Sequence, residues 1–225
     1  RECFVVTAAE PGRWYYAVTA VGPEGEFRQV RPGKSAVRSA VREHAVVPAA
    51  VYQGRFTHDG EAVDVFTHWG TDRDSPGYPA MSTLPCQAFN FAVQKNGKAE
   101  IHPLQLRLHG RGDHFLNNSN GNQNPQEYIL ALDDAFAASN VPTFWFGYDR
   151  GIDVTRRGGP SGTAPGAGVS DFTMRRIRWT LDWALRKLPV DSTRVFVSGS
   201  SMGGSGAAFC IVSMVAVGPW LRWPS

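Results

Sequence analysis

Apolar residues are grouped along this chain in two ways, one typical of buried strands and one typical of helices. Three short apolar runs, each bounded by polar, Gly or Pro residues, predict strands: Pro103 to Leu108, Val141 to Phe146 and Arg194 to Ser198. The stretch from Gly158 to Gly168 is rich in Gly, Pro, Ser and Thr and predicts a loop.

Two other segments carry apolar residues at helical spacing. Asn124-Pro125-Gln126-Glu127 is typical of a helix start, with an N-cap, a proline at the first helical position and a capping-box glutamate. The apolar positions of that first helix are Tyr128, Ile129, Leu132, Ala135 and Phe136. Ser170 or Asp171 is expected to cap a second helix, whose apolar stripe is Met174, Ile177, Leu181, Ala184, Leu185 and Leu188.

The charged residues of the second helix lie mostly off its stripe and predict a solvated face rather than a nucleic-acid site: Arg175, Arg176, Arg178, Asp182, Arg186 and Lys187. Pro189-Val190-Asp191-Ser192 is expected to end this helix and lead into the last strand. Because strands alternate with helices, the pattern predicts right-handed crossovers and a parallel sheet, hence an α/β fold.

Ser201 is the first candidate for chemistry. It lies in Gly199-Ser200-Ser201-Met202-Gly203, a G-x-S-x-G pattern directly after the last predicted strand and before a small-residue stretch typical of a helix. A strand, a tight turn with serine at its apex and a helix form a nucleophile elbow, in which Gly199 and Gly203 stand where a side chain would not fit. On this motif alone, a glycine-rich turn with a surface serine remains an equal alternative.

A second motif, His109-Gly110-Arg111-Gly112, closes the apolar run that ends at Leu108. His-Gly-x-Gly after a strand supplies backbone N–H groups in a loop that its glycines, Gly110 and Gly112, make flexible. Such a loop is typical of one half of an oxyanion hole. His109 is expected to support the loop structurally, and the backbone N–H of Arg111 is expected to be the oxyanion donor. The two motifs together favour the catalytic interpretation of Ser201.

With these motifs, residues from about Val51 to Cys210 resemble an α/β-hydrolase, near the secreted esterase, polyhydroxyalkanoate-depolymerase-like and prolyl-oligopeptidase-like branches. The resemblance implies a three-layer α/β-hydrolase sandwich, with Ser201 as nucleophile and the N–H groups of Met202 and Arg111 as oxyanion donors. It also implies that Val63 to Trp69 and Ala88 to Val93, the latter followed by an Asn96-Gly97 turn, are antiparallel strands leading into the parallel part. Asp191 is interpreted as a turn residue rather than a triad acid.

The resemblance further implies an extracellular or periplasmic protein that acts on an ester or peptide, polymeric substrates among them, without a cofactor. An ester is favoured over an amide. The sequence departs from the family pattern after Ser201, where the family places its Asp or Glu and then its His. Only 24 residues follow Ser201, and none of them is Asp, Glu or His.

We therefore expect a hydrolase domain that is incomplete after the elbow helix, inactive as it stands and prone to association through an open strand edge. The tail from Cys210 to Ser225 is interpreted either as half a crossover or as an altered reading frame. Nothing in the pattern places one of the upstream histidines beside Ser201: His44, His58, His68, His102 and His114.

The N-terminal part resembles the last hairpin of a fibronectin type III module. Residues Trp14 to Val21 alternate so that Tyr16, Val18 and Ala20 share one face, before the turn-forming Gly22-Pro23-Glu24-Gly25-Glu26. The expected organisation is a partial β-sandwich over 1–33, a basic linker over 34–50 carrying Lys34, Arg38 and Arg42, and the hydrolase domain over 51–225.

Composition bounds these interpretations. The chain has 225 residues, 42% of them apolar, and a formal charge of +3, which implies no particular partner. No apolar run has membrane-spanning length, and the sequence predicts no metal site. Cys3, Cys86 and Cys210 are too widely spaced for a disulfide framework, and Cys210 is expected to pack in the core.

Two functions stay open at this point, and a third interpretation is disfavoured. The first is a serine hydrolase that works through an acyl-enzyme on Ser201, either an esterase or a prolyl-oligopeptidase-like peptidase. The second is a binding domain on a hydrolase scaffold that has lost its triad. The third, a dinucleotide-binding turn over Gly199 to Gly206, fits poorly because the glycine spacing is not G-x-G-x-x-G.

Overall fold

The computed structural model describes residues 11–44, 49–74, 78–119, 126–134, 142–152, 154 and 168–216. The chain divides into two compact units, the smaller being Val6–Val47 and the larger comprising Arg1–Val5 and Pro48–Ser225. Several predictions fall outside the described residues: the helix start at Asn124-Pro125, the loop over 158–167, Cys3 and the tail from 217 onwards.

The smaller unit contains two short antiparallel ribbons. β1 (Gly12–Trp14) pairs with β4 (Val41–Glu43), and β2 (Ala20–Gly22) pairs with β3 (Gly25–Phe27). The alternating segment from Trp14 to Val21 is divided: Trp14 ends β1, Ala17 forms an isolated bridge with Ala36, and Ala20 and Val21 belong to β2. β4 lies in the segment predicted as a linker. No described residue of this unit is buried, so its described part offers no core face against which an unbroken alternating strand could pack.

The larger unit is built on a six-stranded sheet in the order β12-β8-β9-β7-β6-β5. Its strands are β5 (Val51–His58), β6 (Glu61–Gly70), β7 (Gln87–Lys95), β8 (His102–Leu108), β9 (Tyr128–Leu132) and β12 (Val190–Gly199). β12, β8 and β9 run parallel, whereas β7, β6 and β5 each run antiparallel to their neighbours. The expected antiparallel strands leading into a parallel part are confirmed.

Helices accompany this sheet, and the protein is therefore of the α/β class. They are α1 (Phe115–Ser119), α2 (Phe172–Lys187) and α3 (Met202–Ala216), and a short ribbon pairs β10 (Tyr148–Asp149) with β11 (Val169–Ser170). Within the described residues, no helix is both long enough and apolar enough to cross a lipid bilayer.

The helix predicted over Tyr128 to Phe136 is wrong in its described part. Residues 128–132 form β9, which lies between β7 and β8 and is buried at every position. Tyr128, Leu130 and Leu132 pack in the main core, while Ile129 and Ala131 pack in the small core on the other face. A strand buried on both faces is a continuous apolar run, and in so short a segment it cannot be told from a buried helix by spacing.

The strand predicted over Val141 to Phe146 is also wrong in its described part. Residues 143–146 form a turn, in which Phe144 and Trp145 have left-handed backbones with φ of 52° and 63°. The N–H groups of Thr143 and Trp145 donate to the Asp134 carboxylate at 2.7 and 2.8 Å, instead of to a neighbouring strand. A side chain distant in sequence thus bends this apolar run.

The apolar stripe of α2 is confirmed, with Ile177, Leu181 and Ala184 in the core and Leu185 packed against it. The prediction of a solvated face is confirmed for Arg186 and Lys187, which are exposed, but it is wrong for Arg176, which is buried. The guanidinium of Arg176 donates to the carbonyl of Asp133 at 2.6 Å and lies 4.3 Å from the centroid of the Phe89 ring. Backbone acceptors and an aromatic face replace the water that this cation loses on burial.

Asp171 stands at the N-cap of α2, but its side chain makes no capping hydrogen bond and instead accepts from Arg175 Nε at 2.7 Å. The expectation that Cys210 packs in the core is confirmed. Its thiol is free and fully buried, and burial raises its pKa to about 12.

His68 is a buried histidine on β6 whose ring packs against aromatic side chains. The ring stacks on the indole of Trp179 with centroids 4.5 Å apart, and neither ring nitrogen has a hydrogen-bond partner among the described residues. Burial, and next the Arg176 guanidinium, lower the pKa of His68 well below 6.5. The native state therefore keeps this ring neutral.

We predict that His68 makes the protein sensitive to acid. The unfolded chain takes up a proton near pH 6.5, whereas the native His68 does so only at lower pH. The free energy of unfolding should therefore fall by up to about 1.4 kcal/mol per pH unit below pH 6.5 and be insensitive to this group above it. Urea unfolding between pH 4.5 and 8 measures the slope. His68→Phe should flatten it, and the same change at the exposed His114 should not.

Candidate active site

Ser201 stands at the junction of β12 and α3. β12 ends at Gly199, α3 begins at Met202, and the serine between them has a left-handed backbone with φ of 54°. A non-glycine residue in this region is uncommon and unfavourable, so the surrounding structure must enforce the conformation. The result is a sharp reversal that presents an exposed serine at the carboxyl end of a parallel strand.

Gly199 and Gly203 allow this reversal because no Cβ would fit at either position. A Cβ on Gly199 would lie 2.3 Å from the carbonyl carbon of Gly203, and a Cβ on Gly203 would lie 2.0 Å from the carbonyl oxygen of Leu108. Both contacts are with backbone atoms, which cannot turn aside. The second contact shows how closely the first turn of α3 approaches the end of β8.

The loop His109–Gly112 lies directly against Ser201. A Cβ on Gly110 would be 3.6 Å from the Ser200 carbonyl oxygen and 3.9 Å from Ser201 Cβ. The loop closes as a turn in which the Asp113 N–H donates to the Gly110 carbonyl at 3.2 Å. Gly112 has φ of 83° at the third turn position, which in a type II turn requires a positive φ. The two motifs, about 90 residues apart in sequence, thus meet in space.

His109 is buried beneath this loop, and both of its ring nitrogens are engaged. Nδ1 lies 2.8 Å from the Gly110 carbonyl oxygen, and Nε2 accepts the Asp134 N–H at 3.0 Å with an Asp133 carboxylate oxygen at 3.3 Å. Burial by itself lowers the pKa of His109, but the nearby Asp133 carboxylate and the hydrogen bond to the Gly110 carbonyl outweigh burial, so the pKa is raised. These contacts make His109 part of the loop's framework.

The two backbone N–H groups predicted as oxyanion donors belong to Met202, which directly follows Ser201, and to Arg111, which lies in the loop against Ser201. Met202 is the first residue of α3, where an N–H has no partner within the helix. The next N–H groups are taken, since Gly203 donates to the Ser200 carbonyl and Gly204 to the Ser201 carbonyl, each at 2.9 Å. Arg111, an exposed residue, occupies the second position of the loop turn. The side chain of Met202 is buried in the core.

The other histidines of the larger unit have environments of their own. His58 Nε2 lies 3.0 Å from Asn117 Oδ1, His68 stacks on Trp179, and His102 Nδ1 lies 3.2 Å from the Gln126 carbonyl. His114 packs edge-on against Phe115. His44 belongs to the smaller unit. Among the described residues, no histidine is hydrogen-bonded to Ser201.

Asp191 lies at the opposite end of β12 from Ser201. Its carboxylate accepts hydrogen bonds from the Thr193 N–H at 2.9 Å, the Thr193 hydroxyl at 2.6 Å and Arg194 Nε at 2.7 Å. The hydrogen bond from the Thr193 hydroxyl, followed by that from Arg194, lowers the pKa of Asp191 to about 2. Asp191 lies within β12, near the register shift between Val190 and Val195, so it is a strand residue and the prediction of a turn residue is wrong.

Sequence reasoning missed the residues that support the loop from behind: Asp134, Thr143, Trp145 and Arg176. Asp134 accepts hydrogen bonds from Thr143 and Trp145, and the Trp145 indole N–H donates to the His109 carbonyl at 3.1 Å. The available signal was Asp133-Asp134 directly after the apolar run of β9, at the carboxyl end of a strand adjacent to β8. The mistaken helix over this segment concealed it.

No known protein family matches the chain, and no curated protein does. Similar solved structures include an S-formylglutathione hydrolase from Agrobacterium tumefaciens, with 16% identity, a TM-score of 0.48, and coverage of 72% of this chain and 57% of that one. A candidate acetyl xylan esterase from Bacteroides fragilis has 15% identity, a TM-score of 0.42, and coverage of 71% and 43%.

The chain thus spans about half the length of these two structures. One is described as a hydrolase and the other as an esterase. With identities this low and TM-scores below 0.5, the function must be argued from the chain's own residues.

We predict that Gly203→Ala disrupts the junction of α3 and β8. The added Cβ meets the Leu108 carbonyl oxygen at 2.0 Å, and forced overpacking of this kind costs about 1–3 kcal/mol. Gly204→Ala is the matched control, because its Cβ meets only the Gly199 carbonyl oxygen at 3.5 Å. That change should leave stability unchanged or raise it by up to about 1 kcal/mol. Equal losses in chemical denaturation would contradict the geometry.

Proposed function

We propose that this chain carries the nucleophile and the oxyanion-binding backbone of a serine hydrolase acting on carboxylic esters, on an α/β-hydrolase scaffold. One observation carries the proposal: Ser201 is held in a left-handed conformation between a parallel strand and a helix, with the His109–Gly112 loop against it. An exposed serine in an unfavourable backbone state, beside a glycine-containing loop that follows a parallel strand, is typical of the nucleophile elbow and oxyanion loop of acyl-transfer enzymes.

The sheet topology supports this proposal. β9, β8 and β12 are neighbouring parallel strands, so their carboxyl ends meet at one edge of the sheet. Asp134 follows β9, the His109–Gly112 loop follows β8, and Ser201 follows β12. Functional groups of α/β proteins gather at this edge because the strand-to-helix loops all emerge there.

The proposed chemistry follows from these positions. Ser201 Oγ attacks the carbonyl carbon of the ester, its proton passes to a general base, and the carbonyl oxygen becomes an oxyanion. The N–H groups of Met202 and Arg111 bind that oxyanion, and the N-terminal end of α3 adds its favourable dipole. Collapse of the intermediate breaks the bond to the alkoxide, which takes the proton back from the base and leaves as the alcohol, so that Ser201 remains acylated. Water then attacks the acyl-enzyme, passes a proton through the base to Ser201 Oγ and releases the carboxylic acid.

An ester is favoured over an amide as the substrate. An amine leaves only after a general acid has protonated it, whereas an alkoxide or phenoxide is a better leaving group. His109, which directly precedes the Gly110 that lies against Ser201, is engaged through both ring nitrogens. An ester therefore demands less of the groups that the described part of the chain contains.

One observation favours a second candidate, a binding domain on the same scaffold. Among the described residues no histidine is hydrogen-bonded to Ser201, and a serine hydroxyl without a base is a poor nucleophile. Such a domain would bind a ligand at the same sheet edge without turning it over. The two candidates differ in whether Ser201 reacts.

The reactivity of Ser201 can be tested directly. Ser201→Ala should abolish covalent labelling by a fluorophosphonate probe, because the hydroxyl at the apex of the turn is removed. Ser200→Ala is the matched control: it deletes the adjacent hydroxyl and leaves the Ser200 carbonyl that accepts from Gly203. Mass spectrometry of the labelled peptide identifies the site. Labelling of the Ser201→Ala protein would exclude this nucleophile, and an unlabelled wild-type protein would favour the binding domain.

The role of the Arg111 backbone makes a separate prediction. If its N–H binds the oxyanion, Arg111→Ala keeps the donor and should be mild, whereas Arg111→Pro deletes it. Loss of one such donor typically lowers kcat by a factor of about 10²–10³. Both variants are compared for p-nitrophenyl acetate hydrolysis, in a form of the protein whose Ser201 the fluorophosphonate probe labels, after circular dichroism has shown that they fold. Equal effects of the two substitutions would remove Arg111 from the oxyanion hole.

A further inference from the structure

The turn that contains Phe144 and Trp145 is strained. Two successive aromatic residues have left-handed backbones, with φ of 52° and 63°. For bulky side chains this region is unfavourable, and such conformations persist only where other contacts enforce them. The turn therefore has a conformation that its own sequence does not favour.

Asp134 supplies the contacts that enforce this conformation. Its buried carboxylate accepts three hydrogen bonds from the turn: from the Thr143 N–H at 2.7 Å, the Thr143 hydroxyl at 2.5 Å and the Trp145 N–H at 2.8 Å. The Thr143 hydroxyl also lies 2.7 Å from the hydroxyl of Thr173 on α2. Charge-assisted hydrogen bonds in a buried site are strong enough to hold an unfavourable backbone.

The enforced turn places the indole of Trp145 between the two halves of the site. On one side, Nε1–H donates to the His109 carbonyl at 3.1 Å, and the indole packs edge-on against the His109 ring with centroids 4.9 Å apart. On the other side, the residue packs on α3 so closely that a Cβ on Gly206 would lie 2.5 Å from Trp145 Cβ and Cγ. Trp145 is fully buried.

We propose that Trp145 is a positioning residue, which sets the separation between the His109–Gly112 loop and the Ser201 elbow. The His109 carbonyl belongs to the peptide that precedes Gly110, two residues before the Arg111 N–H. Fixing that peptide fixes the direction of the loop's N–H groups relative to Ser201. The inference rests on the proposed function, in which these groups bind the oxyanion.

Trp145→Phe tests this role, and Trp179→Phe is its matched control. Both residues are buried tryptophans, but Trp179 Nε1 has no hydrogen-bond partner among the described residues, whereas Trp145 Nε1 donates to the loop. Where the wild-type protein hydrolyses p-nitrophenyl acetate, Trp145→Phe should lower kcat by about 10–10²-fold with little change in KM, as expected when a catalytic group is displaced without loss of substrate binding. Trp179→Phe should leave both constants unchanged.

Amide hydrogen exchange provides a measurement that does not depend on activity. Trp145→Phe should speed exchange in the peptide covering 109–113, because the loop loses its link to α3, while Trp179→Phe should not. Thr143→Val gives a milder test if Trp145→Phe fails to fold, since it removes only one hydrogen bond to Asp134. Its control is Thr180→Val, which removes a buried hydroxyl that bonds within α2.

The outcomes separate the two hypotheses. Activity that survives Ser201→Ala would refute the proposed function and leave hydrogen exchange to decide whether Trp145 holds the loop. Unchanged exchange over 109–113 in Trp145→Phe and in Thr143→Val would overturn the positioning role. Equal losses of kcat in Trp145→Phe and Trp179→Phe would also overturn it, because they would show a general effect of altering the core.

Discussion

The close approach of α3 to the end of β8 is the constraint on which the rest of the site depends. Gly203 lies so near the Leu108 carbonyl that no other residue fits there. This contact draws the helix start against the loop after β8 and compresses the turn between β12 and α3. The left-handed backbone of Ser201 follows, because only a sharp reversal can connect a strand to a helix seated so closely.

Buried polar groups provide the second layer of order. Arg176 binds the carbonyl oxygens of Asp133 and Asp134, and Asp134 in turn holds the turn that carries Trp145. Each of these groups lost its hydration on folding, and each is compensated by a hydrogen bond with a defined direction. Hydrogen bonds from Trp145 and Asp134 to His109 therefore fix the orientation of the loop beside Ser201. Apolar packing alone would not specify this orientation.

The sequence predicts the features of the site that depend on local steric constraints. Gly199 and Gly203 mark positions where a side chain cannot fit, and Gly112 marks a left-handed turn position, so the strand–turn–helix around Ser201 and the turn after β8 could be predicted. β9 and the turn at Thr143 could not be predicted, because a five-residue apolar run carries no usable period and the turn is shaped by a distant carboxylate. Arg176 looked like a surface residue because its acceptors are backbone atoms of Asp133 and Asp134, which no pattern in α2 reveals.

The conformation of Ser201 implies a conflict between stability and function. Glycine adopts φ of about 54° without steric penalty, and asparagine tolerates it better than serine does. Selection for stability alone would therefore favour one of those residues at this apex. A serine there is therefore less favourable than glycine for the stability of the fold. The use of its hydroxyl as a nucleophile, as proposed above, would account for a serine at this position.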